Sequence, residues 1–153
     1  MKRFISRFER IRHLRAQQED TCRAAAAARN AERAKAEESR DSVQTWLDTI
    51  HRTAARDLAN GMSGAVLISM TSMMEHGEQQ LYVANRSLQS AEDSLRLALQ
   101  QHSHARTELK IIEEVVHREY TEHRRAQMKH EEIQLQEQAS QAYHRMRDIR
   151  NDQ

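Results

Sequence analysis

The stretch from Leu81 to Val116 limits the folds open to this chain more than any other. Alternate steps of three and four residues from Leu81 meet Ala84, Leu88, Ala91, Leu95, Ala98, His102, Ala105, Leu109, Ile112 and Val116, of which only His102 is polar. A repeat sustained that far, with charged and amide residues between its apolar positions, describes an α-helix with one narrow apolar seam, the face that a coiled-coil partner covers. One set of seam positions reads Leu, Leu, Leu, His, Leu, Val and the other Ala, Ala, Ala, Ala, Ile, so two helices can approach closely.

Composition closes off the alternatives. Of 153 residues only 38% are hydrophobic and 4% aromatic, too few for a thick globular core. There is no proline, and the three glycines fall at positions 61, 64 and 77, so almost nothing interrupts a helix elsewhere. Lys plus Arg number 24 against 23 Asp plus Glu; that balance lacks the cation excess of a dedicated nucleic-acid binder. The lone Cys22 has no internal disulfide partner and fits a reducing compartment. The start, MKRFISRFERIRHLR, is basic without the apolar run of a signal peptide. The longest clear apolar run, Ala65 to Ile68, falls far short of the ~20 residues that span a bilayer. A cytoplasmic protein with no direct membrane insertion is expected.

The first segment, about 4–58, carries a seam through Phe4, Phe8, Ile11, Arg15, Gln18, Cys22, Ala25, Arg29, Glu32, Ala36, Ser39, Val43, Trp46, Ile50 and Thr53. It is apolar at both ends and weak in the middle, with Leu14, Leu47, Ala54 and Leu58 flanking it. Alanines 24–28 favour helix and allow a close partner, although the middle also reads as a merely solvated helix. Asn60-Gly61-Met62-Ser63-Gly64 is the best turn, since Asn and Gly accept the left-handed conformation that ends a helix and Ser63 can cap the next. Extending the Leu81 frame backwards meets Gly77, Met74, Met70 and Leu67, so the second helix runs over about 65–148 with Gly77 inside it. The competing reading is a loop continuing to about Glu78.

Folding the segments back about position 61 or 62 gives one all-α domain, an antiparallel two-helix coiled-coil hairpin whose longer second helix overhangs. Residue i then faces residue 123 − i, which brings Phe4 near Glu119 and Phe8 near Val115. The seam turns polar at the same place, continuing as Glu119, His123, Ala126, His130, Ile133, Glu137 and Ser140.

The nine histidines lack the i, i+4 spacing that sets two ligands on one turn, so no metal site is expected. No glycine-rich phosphate loop or nucleophile motif is present, and no catalytic residue or cofactor is expected. Met62, Met70, Met73 and Met74 make the turn end apolar, either as core or as an adaptable partner surface. At the other end Lys2, Arg3, Arg7, Arg10, Arg12 and Arg15 gather with Arg118, Arg124, Arg125 and Lys129, either a solvated face or a site for an acidic partner. Leu135, Ala139, Ala142, Tyr143, Met146 and Ile149 recur at spacings of three and four as a last apolar strip, expected to lie beyond the reach of the first segment.

The opening MKRFISRFERIRHLRAQQEDTCRAA, paired Phe and repeated Arg running into an alanine-rich helix, resembles the start of the flagellar export protein FliJ family. So does ARTELKIIEEVVHREYTEHRRAQMKHEEIQLQEQAS, with its Leu-Lys-x-x-Glu pattern, basic Tyr-containing stretch and Glu-rich tail. The resemblance implies an antiparallel coiled coil similar to the rotary ATPase γ stalk, and a soluble, non-enzymatic component of the flagellar type III export apparatus. It further implies that the end with both termini enters the pore of the hexameric export ATPase FliI, that the export gate protein FlhA is a second partner, and that export chaperones are escorted. By position it assigns ATPase contact to Arg3, Arg7, Arg10, Arg118, Arg124 and Arg125, and gate contact to Met73, Gly77, Gln80 and Ala84. Where that family tends to carry a large apolar residue this chain has Gly77, so Met74 and Leu81 join the gate set. The free protein is expected to be a monomer. The competing readings are the equivalent stalk of a virulence-type injectisome, and a homodimeric structural coiled coil using the Leu81 to Val116 seam between chains.

Overall fold

The computed structural model describes residues 4–151, with side chains to residue 143. Two helices, α1 (Glu9–Ala59) and α2 (Gly64–Asn151), make an all-α helical hairpin, and no strand occurs among the described residues.

Local chemistry sets the ends of the helices. After α1, Asn60 N–H donates to the Arg56 carbonyl at 3.2 Å and Gly61 N–H to that of Leu58 at 3.3 Å. Gly61 has φ of +87°, the left-handed cap conformation that a side chain would strain. Ser63 serves α2 through its carbonyl, which accepts from Leu67 N–H at 3.1 Å. Gly77 lies within α2, and the alternative loop to Glu78 does not form.

At the other end, α1 starts at Glu9, five residues later than the seam suggested. Ser6 is the reason. Its hydroxyl accepts from Phe8 N–H at 3.1 Å and its carbonyl from Glu9 N–H at 3.2 Å, a side-chain and backbone turn that competes with helix. Residues 4–8 are therefore a non-helical strap.

The chain forms two compact units, Met1–Gln17 with Thr107–Gln153, and Gln18–Arg106. In the second, the helices run antiparallel: Glu19 meets His102, and Trp46 and Leu47 meet Gly77, on or near the 123 − i register. Its buried apolar residues are Ala26, Leu47, Ala54, Ala98 and Ala105, so the seam is closed mostly by alanine. The weak middle of α1 carries two ion pairs within the helix, Arg29–Glu32 at 2.7 Å in solvent and the half-buried Arg33–Glu37 at 3.0 Å. Pairs at this spacing on a helix contribute only about 0.2–0.5 kcal/mol each.

The α2 seam is as expected, every position from Leu81 to Val116 being buried or half-buried. That of α1 is displaced at alternate positions. Cys22, Ala36, Val43, Ile50 and Thr53 are half-buried as read, but Ala26 and Leu47 are buried in place of the exposed Ala25 and Trp46, and Ala54 is buried beside Thr53. The residues competing for each place differ little in hydrophobicity, so packing against α2 selects the phase.

In the first unit Arg15 meets Glu108 at 2.8 Å, also on the 123 − i register, and the strap lies against α2. Ile11, expected on the seam, remains exposed. Along α2 half-burial ends at His123 and Gln127, and every side chain from Met128 to Tyr143 is exposed.

Candidate protein-interaction surfaces

In the unit that carries the strap, Glu119 is the hub. One carboxylate oxygen accepts from the Ser6 hydroxyl at 2.6 Å and the other pairs with Arg7 Nε at 2.8 Å. The Arg7 guanidinium also lies 4.8 Å from the centre of the Phe8 ring, a cation–π distance. Phe4 packs edge-on to Tyr120 at 5.6 Å and against His123 at 5.1 Å. A polar seam position is thus satisfied from the N-terminal strap.

Of the basic residues expected to meet a partner here, Arg3 lies outside the described residues. Arg7 is engaged by Glu119. Arg10, Arg118, Arg124 and Arg125 are exposed and have no ion pair among the described residues. Long cationic side chains left in solvent are available to an acidic surface, and their charge steers its approach. In the distal apolar strip Leu135, Ala139, Ala142 and Tyr143 are exposed; the side chains of Met146 and Ile149 lie outside the described ones.

In the unit that carries the turn, the expected gate residues separate by face. Gly77 is buried, Met74, Leu81 and Ala84 are half-buried along the seam, and Met73 and Gln80 are exposed. A Cβ on Gly77 would stand 2.6 Å from Trp46 Cζ3 and 2.7 Å from Leu47 Cδ1. Trp46 therefore fills the space that a large side chain at position 77 would occupy, and it is still 40% exposed. Periodicity had placed Trp46 in the core. The signal for its true place was the register, which sets 46 opposite 77, the bulkiest residue opposite the smallest. Leu58, Val66, Leu67, Ile68 and Met73 are also exposed around the turn, so the apolar turn end is largely surface.

His102 Nε2 bonds Glu19 Oε1 at 2.8 Å, and among the described residues no three His, Cys, Asp or Glu side chains converge as metal ligands would. No helix among the described residues is long and apolar enough to cross a membrane.

Fold and surfaces together define a coiled-coil hairpin that offers a cationic face on one unit and an apolar, Trp-bearing face on the other. A family model described as Flagellar FliJ protein matches residues 4–148, and the chain belongs to this family. It is therefore a component of flagellar type III export. No characterised protein and no solved structure matches the chain.

Proposed function

We propose that the protein is a non-enzymatic central stalk and chaperone escort of flagellar export, working at the cytoplasmic face of the apparatus and binding the hexameric export ATPase FliI and the export gate protein FlhA. The observation that carries this reading is the division of its free surfaces. Arg10, Arg118, Arg124 and Arg125 have no ion pair among the described residues, and all belong to the unit holding the strap. Trp46, Met73 and Gln80 stand exposed on the unit holding the turn. The cations meet the ATPase, and Trp46 with Met73, Met74, Gly77, Gln80, Leu81 and Ala84 forms the gate face. Gly77 acts there by seating Trp46, the type of large aromatic that dominates protein interfaces.

The homodimer reading loses its motive, because α1 of the same chain covers the seam from Leu81 to Val116. The family match is to flagellar rather than injectisome proteins. Pull-down with the cognate ATPase and the gate's cytoplasmic domain tests the proposal. Arg124→Glu with Arg125→Glu should weaken ATPase capture by about tenfold or more and spare the gate, in line with the cost of lost interfacial charges. Trp46→Ala should do the reverse. Equal ATPase capture by the wild type and the charge-reversed protein would refute the assignment.

A further inference from the structure

Between the strap and α2 runs an open groove of ≈ 680 Å³, walled by Phe4, Ile5, Val116 and Tyr120. Its size falls within the ~300–1,000 Å³ of ligand clefts. Ile5, one of its walls, is 77% exposed. Glu9 and Arg12, also on the groove, neutralise one another. Glu113 and His117 form its far edge and belong as well to the next surface of α2, which adds Lys110, Arg118 and Arg125.

Charge decides what fits. Over residues 107–129 the cations with no ion pair among the described residues are Lys110, Arg118, Arg124, Arg125 and Lys129, against the anions Glu113, Glu114 and Glu122. Glu119 and Glu108 are already paired, with Arg7 and Arg15. An apolar socket beside a net cationic helix face suits a segment with one apolar side chain among carboxylates.

We propose that this groove seats the apolar anchor of an acidic, amphipathic partner segment, whose carboxylates lie along Lys110, Arg118 and Arg125. Ser6 and Arg7 are positioning residues for this contact, since together they hold the strap, and hence the Phe4 and Ile5 wall, onto Glu119. The inference rests on the reading of this unit as the ATPase-binding one and names the chemistry of the segment bound.

The test uses the full chain and, as probes, two synthetic Glu-rich helical peptides identical but for a central Leu or Ala. Methyl NMR signals of Ile5 and Val116 should shift on titration with the Leu peptide, which should bind about tenfold more tightly than the Ala peptide. A Lys-for-Glu version of the Leu peptide should bind far more weakly. Ile5→Asp, at an exposed position outside the helices, should abolish the Leu preference without changing the circular dichroism. Equal binding of the Leu and Ala peptides, or shifts that leave Ile5 and Val116 untouched, would overturn the groove. The cognate ATPase separates the two readings. If it binds wild type and Ile5→Asp alike, the groove inference fails and the ATPase reading stands. If it binds neither while the Leu preference holds, the groove stands and the ATPase reading falls.

Discussion

Gly77 and Glu119 show how much a single residue decides here. A glycine within a helix costs ~1 kcal/mol against alanine, yet Gly77→Ala should destabilise this protein. The added Cβ would lie within 3 Å of a stiff indole and of Leu47, which is only 4% exposed. Overpacking of this kind costs about 1–3 kcal/mol, more than the propensity gained. Urea denaturation should show a net loss of about 1 kcal/mol that Trp46→Leu relieves in part, since the contact with Leu47 remains; a Gly77→Ala protein as stable as wild type would show that both side chains yield freely. Glu119 is read by a charge swap. Arg7→Glu or Glu119→Arg alone should weaken ATPase capture, and the double exchange should restore most of it, because the strap is again held. If Arg7 touched the ATPase directly, the exchange would rescue nothing. Neither role was visible in residue type. Gly77 looked like a missing contact and Arg7 like a free cation, because each is defined by a neighbour about 30 or more than 100 positions away.

Among elements, α2 was the more legible in sequence. Its seam alternates large and small apolar residues over many turns, so that only one phase buries them and the helix face is determined before any partner is known. In α1 the alanine-rich middle leaves adjacent residues nearly equivalent, and the phase slipped by one at alternate positions. The one polar seam position tests what holds the helices together in the turn-bearing unit. Glu19 and His102 are largely withdrawn from solvent and bonded at 2.8 Å. His102→Leu leaves the carboxylate without its partner and should cost about 1–3 kcal/mol. Glu19→Leu with His102→Leu completes the apolar seam and should be at least as stable as wild type. Thermal melts decide: a single variant that matches the double would mean the pair is uncoupled.

For the molecule as a whole, the hairpin answers what the long seam asks for. Since α1 covers the Leu81 to Val116 positions, light scattering should give the mass of one chain, 17.9 kDa. A stable dimer lacking contact between Phe4 and Tyr120 would contradict the intrachain pairing. The two proposed contacts lie on different compact units, so substitutions in one should leave binding through the other unchanged. That independence is what the proposed binding of two partners requires. It also explains why composition said little about function: a net charge of +1 averages a cationic surface with many charges already paired.

The sequence by itself determined the two-helix hairpin, its turn at Gly61, its register and the change of the seam to polar residues after Val116. These follow from helical periodicity and from a few residues with special backbone freedom, both local properties. Only the tertiary structure decided which face of α1 turns inward, that the chain before Glu9 is a strap held by Glu119, and that Trp46 lies over Gly77 at the surface. Those outcomes depend on cross-helix packing and on one carboxylate shared by two groups. Such free energies belong to pairs of residues and cannot be read from either alone.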